Sequence, residues 1–168
     1  MLLSSDMNGR WLDFLDGIGR DDAGRRFEDI LAFSDRDLER HHDFIQWLFP
    51  NPRPSGVNPD APLLSPEIAE AVKNDPKRME RAERALDRML AFYGFKRVDD
   101  ELGAHDGCQS HWLRPSDHNH LRLTRILTFL SLTGREKLAQ SLANRLLELP
   151  ESTVSSRTRE FWRDAAKI

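Results

Sequence analysis

The sequence predicts an all-α protein, and three observations carry that expectation. Cap-type residues repeatedly precede apolar runs, those runs recur with the spacing of one helix face, and period-2 alternation is absent outside "FKRV" (Phe95 to Val98). With 168 residues the chain has the ordinary length of one domain. The expected architecture is therefore a single compact multi-helix domain over residues 1–168, of about six helices with two long loops.

The first predicted helix opens at Ser34, which forms a capping-type pair with Asp37, carries Leu38, Ile45 and Leu48, and halts at Pro50. The second starts in "SPEIAEAV", with Ser65 as N-cap and Pro66 at the first helical position. In "DPKRMERAERALDRMLAFYG" Asp75 and Pro76 take the same roles and Gly94 closes the C-terminus. Met79, Ala82, Leu86, Met89, Leu90 and Tyr93 share one side of that helix, with Arg81, Arg84 and Arg88 on the other, as a core-facing helix requires. "SDHNHLRLTRILTFLSLTG" predicts a helix from about Ser116 to Thr133 ended by Gly134, "REKLAQSLANRLLELP" another that stops before Pro150, and a short one follows Ser156. Pro50 to Pro66 and Asp99 to Ser116 read as loops, both long enough to suggest a functional role.

Composition narrows the function. Charged residues make up 32% and apolar ones 39%, the balance of a folded, water-soluble chain. A net charge of -3 provides no general attraction to nucleic acid or anionic membrane, so no nucleic-acid partner is expected. No window reaches the roughly 20 apolar residues of a membrane span, and the opening "MLLSSDMNGR" lacks the pattern of a secretory leader. The single cysteine, Cys108, has no partner for an intrachain disulfide, which fits a cytoplasmic setting.

The stretch "ERHHDFIQWLFPNP" (Glu39 to Pro52) sets two histidines at the edge of a dense apolar run. As a continuous helix, it would place His41 and His42 in or beside the arc of Leu38, Ile45, Leu48 and Phe49, with His42 and Gln46 stacked at i, i+4. Asp117 to Thr133, turned at about 100° per residue, is more telling. His118, Arg122, Arg125 and Phe129 form a stripe flanked by Leu123, Ile126, Leu127 and Leu130 on one side and Leu121 and Leu132 on the other. His120, Thr124, Thr128 and Ser131 fall on the side assigned to water. Guanidinium groups drawn inward need carboxylates, carbonyls or a bound anion.

The residues support other chemistry only weakly. Four of the six histidines crowd "HDGCQSHWLRPSDHNH", but the spacing of His105, Cys108, His111, His118 and His120 matches no structural-zinc pattern, so neither metal nor cofactor is expected. Cys108 beside histidines is weak evidence for a nucleophile, and phosphate-loop, metalloprotease, hydrolase-elbow and kinase motifs are absent.

Three stretches in order, "HHDFIQWLFP" (His41 to Pro50), "LAFYGF" (Leu90 to Phe95) and "HNHLRLTRIL" (His118 to Leu127), resemble the conserved domain of the opioid growth factor receptor family, as does "GVNPDAPLL" (Gly56 to Leu64). The resemblance covers about Glu28 to Leu149. It places the family pattern on His42, Gln46, Trp47, Asn58, His118, Asn119, Arg122, Thr124 and Arg125, and favours His42 over His41. His120 departs from the pattern where the family often has Asn. The resemblance implies a receptor for a peptide such as enkephalin, with nuclear or nuclear-envelope association, peripheral to the membrane, as the alternative to a cytoplasmic setting.

The resulting expectation is a non-enzymatic ligand-binding domain. Its peptide or small anionic ligand would be held by His42, Gln46, Trp47, Asn58, His118, Asn119, Arg122 and Arg125, in a pocket walled by the His42 and His118 helices. The competing readings are a metal-dependent enzyme, a hydrolase using His42 or His118 as base, and a structural scaffold.

Overall fold

A computed structural model describes the backbone of residues 2–168 and the side chains from Met7 onward. It is mostly helical, as expected. The described residues form α1 (Leu2–Leu15), α2 (Phe27–Leu31), α3 (Asp35–Arg40), α4 (Ile45–Leu48), α5 (Pro66–Lys73), α6 (Pro76–Tyr93), α7 (His118–Leu132), α8 (Glu136–Leu147) and α9 (Ser156–Ala166). A small hairpin, β1 (Arg97–Val98) and β2 (Glu101–Leu102), pairs Arg97 with Leu102 and Val98 with Glu101. Among the described residues no helix is long and apolar enough to cross a membrane.

The predicted caps are in place. Ser34 Oγ accepts from the Asp37 N–H at 3.1 Å and Ser65 Oγ from the Ile68 N–H at 3.2 Å. Asp75 Oδ1 accepts from the Lys77 N–H at 3.0 Å, and Gly94 ends α6 at φ +89°. Nine α-helices among the described residues, rather than about six, reflect three departures. α1 and α2 were not anticipated, although Trp11, Phe14 and Leu15 do follow i, i+3, i+4 spacing and are all buried. The helix expected from Ser34 to Phe49 is two, α3 and α4, separated by residues 41–44. There His41 turns extended (φ -83°, ψ 137°) and stacks on Phe33 at 5.3 Å, while Asp43 meets Arg25 at 3.0 Å. His and Asp are poor helix formers, so these side-chain contacts outweigh one more helical turn.

The chain forms two compact units, Met1–Ala85 and Leu86–Ile168, with the boundary inside α6. The first unit has an aromatic core. Phe14 meets Phe27 edge-on at 5.9 Å and Trp47 at 5.2 Å, and Trp11 donates its indole N–H to the Trp47 carbonyl at 2.8 Å. Arg78 grips Asp16 with two 3.0 Å hydrogen bonds.

In the second unit α7 packs on both α8 and α9, and β2 packs on α8. Leu102 donates its N–H to Ser141 Oγ (2.9 Å), and its carbonyl accepts from Arg145 Nε (2.9 Å). Arg159, buried on α9, donates to the Leu147, Leu149 and Pro150 carbonyls, satisfying acceptors left at the end of α8.

Candidate functional site

The expected residues divide between the units, four in each. In the first, Gln46 and Trp47 lie on α4 and are buried, at 4% and 1% exposure. Gln46 Nε2 donates to the His42 carbonyl at 3.3 Å and to Ser55 Oγ at 3.4 Å, while Gln46 Oε1 and Trp47 Nε1 are buried with no hydrogen-bond partner among the described residues. Arg10 lies over the Trp47 ring at 5.1 Å.

His42 corrects the helical reading. It lies exposed in the break between α3 and α4, so its imidazole does not stack on Gln46 as a helical i, i+4 pair; its backbone carbonyl is what Gln46 meets. Asn58 ties the proline-rich loop to the same break, donating from Nδ2 to the Asp43 carbonyl at 3.2 Å. Ser55 is the hub that sequence reasoning missed. Its Oγ accepts from Val57 N–H (3.2 Å), Asn58 N–H (3.3 Å) and Gln46. The only signal for it is a Ser-Gly turn pattern in the loop.

In the second unit α7 begins with a polar network. Asp117 is its N-cap, and Asp117 Oδ1 accepts both the backbone N–H and the side-chain Nδ2 of Asn119, each at 2.9 Å. Asp117 Oδ2 accepts from Arg114 Nε at 2.8 Å. Fully buried Asn119 receives the Tyr93 hydroxyl on Oδ1 at 3.0 Å, and Arg122 Nη1 at 3.4 Å. Burial pushes the Asp117 carboxyl up, but hydrogen bonds from Asn119 and Arg114, with the field of His118, outweigh it and hold the group below the usual carboxylate range.

The inward stripe is real at Arg122 and Phe129, which are buried; Arg125 is half-buried and His118 exposed. Burial lowers the pKa of Arg125, although a guanidinium in this range stays charged at neutral pH. The opposite faces are reversed from expectation. Leu121 is 70% exposed, whereas His120 and Ser131 are buried. The cause is α9: Ser131 Oγ donates to the Ala165 carbonyl at 2.7 Å, and Trp162 packs edge-on against His120 at 5.7 Å. Thr124 and Thr128 satisfy their hydroxyls on the His120 and Thr124 carbonyls, four residues back.

The histidine-rich loop folds on itself. His105 Nε2 donates to the Gln109 carbonyl at 2.9 Å and its Nδ1 accepts the Gly107 N–H at 3.1 Å, so both ring nitrogens serve the turn. Cys108 is exposed, and hydrogen bonds from Cys108 N–H and Gln109 N–H hold the Asp106 carboxyl below its usual range.

These elements define a helical protein with polar side chains gathered at the start of α7 and around α4. Residues 21–166 match the family described as the opioid growth factor receptor (OGFr) conserved region. The chain therefore belongs to the opioid growth factor receptor family. It is 41% identical over 116 residues to the rat opioid growth factor receptor, covering 66% of this chain and 20% of that protein. The human opioid growth factor receptor is 38% identical over 116 residues, 66% of this chain and 17% of its own length. Mouse opioid growth factor receptor-like protein 1 is 35% identical over 123 residues, 70% and 26% of the two chains. The chain thus spans about a fifth of the length of the receptors it matches. No solved structure matches it.

Proposed function

We propose that the chain is a non-enzymatic ligand-binding domain for a peptide or small anionic ligand. Its candidate contacts are His42, Gln46, Trp47 and Asn58 in the first unit and, taken separately, His118, Asn119, Arg122 and Arg125 in the second. The observation that supports this most directly is the buried acceptor Gln46 Oε1 beside the buried donor Trp47 Nε1 in sequence, both without hydrogen-bond partners among the described residues. Leaving such groups unmade costs about 1 to 3 kcal/mol each, and a peptide amide carries both the N–H and the carbonyl that would satisfy them. Reaching Gln46 requires the loop at Ser55 to lift. That loop is tied to α4 and the break before it by Gln46 Nε2 to Ser55 Oγ at 3.4 Å and Asn58 Nδ2 to the Asp43 carbonyl at 3.2 Å, long enough to exchange at low cost. Arg122 and Arg125 supply positive charge for a carboxylate or other anion. The proposed setting is cytoplasmic, with nuclear-envelope association the alternative taken from the family.

Denaturant unfolding with and without ligand tests the reading. Arg122→Ala should lose less than about 1.5 kcal/mol without ligand. It should also abolish the stabilisation that phosphate, sulfate or an enkephalin-like peptide carboxylate confers on the native chain through linkage. A loss of about 3 to 5 kcal/mol, with no ligand effect in the native chain, would leave the scaffold reading. Cleavage of the peptide during titration would favour the hydrolase.

A further inference from the structure

A second recess lies wholly within the second unit, between the N-terminal halves of α7 and α9. It encloses about 580 Å³, lined on the α7 side by His118, His120, Leu121 and Thr124 and on the α9 side by Arg157 and Phe161. Its walls include two of the large apolar side chains left to water, Leu121 at 70% and Phe161 at 44% exposure. Arg157 lies over the Phe161 ring at 5.6 Å.

His120 distinguishes this recess from an ordinary surface dip. The residue is 3% exposed, its Nε2 donates to the Trp112 carbonyl at 2.9 Å, and its Nδ1 is buried with no partner among the described residues. Because Nε2 carries the proton, the neutral ring offers Nδ1 as an acceptor and calls for an N–H or O–H. Charge points the same way. Arg157 and the first-turn N–H groups of α9, an eleven-residue helix, are positive features. The Asp117 carboxylate, the acidic group of the lining, is engaged by Arg114 and Asn119.

We propose that this recess binds a short acidic peptide segment of a partner protein. An apolar side chain lies between Leu121 and Phe161, a backbone N–H donates to His120 Nδ1, and a carboxylate one residue on meets Arg157 and the start of α9. In an extended peptide successive side chains point to opposite faces, so the apolar side chain enters the recess while the carboxylate turns outward to the exposed Arg157, and reaching the buried Nδ1 requires the recess wall to shift. Apart from His118, which borders both, the site is separate from the Gln46 and Arg122 set, and its binding is tested independently.

The test is amide and side-chain NMR on the full 168-residue chain, titrated with acetyl-Gly-Leu-Asp-amide. Saturable shifts are expected at His120, Leu121 and Phe161. Affinity should fall at least about tenfold for the Asn analogue, for the analogue N-methylated at the amide and for Arg157→Ala. Phe161→Ser should weaken binding similarly. Both altered side chains are exposed, so unchanged thermal midpoints will show that the fold persists. Gln46→Ala and Arg122→Ala should leave this binding intact. Absence of a saturable shift, or an affinity equal to the native chain's in Arg157→Ala or Phe161→Ser, would overturn the proposal.

Discussion

Trp162 donates its indole N–H to the backbone carbonyl of His120 at 3.2 Å, linking α9 to α7 across 42 residues of sequence. Both residues are buried, and the same contact turns His120 from a water-facing position on a helical wheel into part of the core.

Trp162→Ala should therefore destabilise the chain by about 3 to 5 kcal/mol, the cost of emptying a large aromatic site. Trp162→Phe keeps part of the packing and removes one donor from a carbonyl that the Thr124 hydroxyl also serves, and should cost about 0.5 to 1.5 kcal/mol for the lost bond. Urea unfolding measures both. A negligible cost for Trp162→Phe would mean that the hydrogen bond contributes nothing.

Gly94 sits at φ +89°, where an added Cβ would lie 2.7 Å from Asp106 Oδ1 and 2.8 Å from His105 Nε2. Gly94→Ala should cost more than about 1 kcal/mol, from backbone strain and displacement of the turn. Gly56, with nothing within 4 Å of its would-be Cβ, should accept Ala nearly neutrally. Thermal midpoints of the two variants provide the comparison.

Asp117 should contribute to acid sensitivity. Its folded pKa is depressed, so it releases its proton more readily folded than unfolded. Its contribution is present above the unfolded carboxylate value of about 3.9 and is lost as pH falls through the folded pKa. Asp117→Asn should flatten the stability curve in that acid range while lowering stability at neutral pH. An unchanged acid slope would count against the network.

Ser55→Ala removes one acceptor shared by Gln46, Val57 and Asn58. Hydrogen exchange at the Val57 and Asn58 amides should accelerate about tenfold or more, since loss of about 1 to 2 kcal/mol of local stability has that effect. Amides of α7 in the second unit should be unaffected.

Local chemistry alone determined where most helices begin and end. Ser34, Ser65, Asp75 and Pro76 act through atoms within three residues of themselves, and Gly94 and Gly134 take the left-handed backbone that side chains disfavour. The buried faces of α6 and α7 followed from 3.6-residue periodicity for the same reason, and the inward position of Arg122 was visible in it. The break at His41 and His42 was not visible, because it depends on Phe33, Arg25 and Asn58, which reach it from separate segments. Nor could periodicity decide whether His120 or Leu121 faces solvent. A wheel knows only one helix, and α9 arrives from more than thirty residues away to cover His120, leaving Leu121 to water. The bond from Tyr93 to Asn119 and the unpartnered atoms of Gln46 and Trp47 are likewise tertiary facts, since hydrogen-bond satisfaction depends on which segments come within about 3 Å of a buried atom.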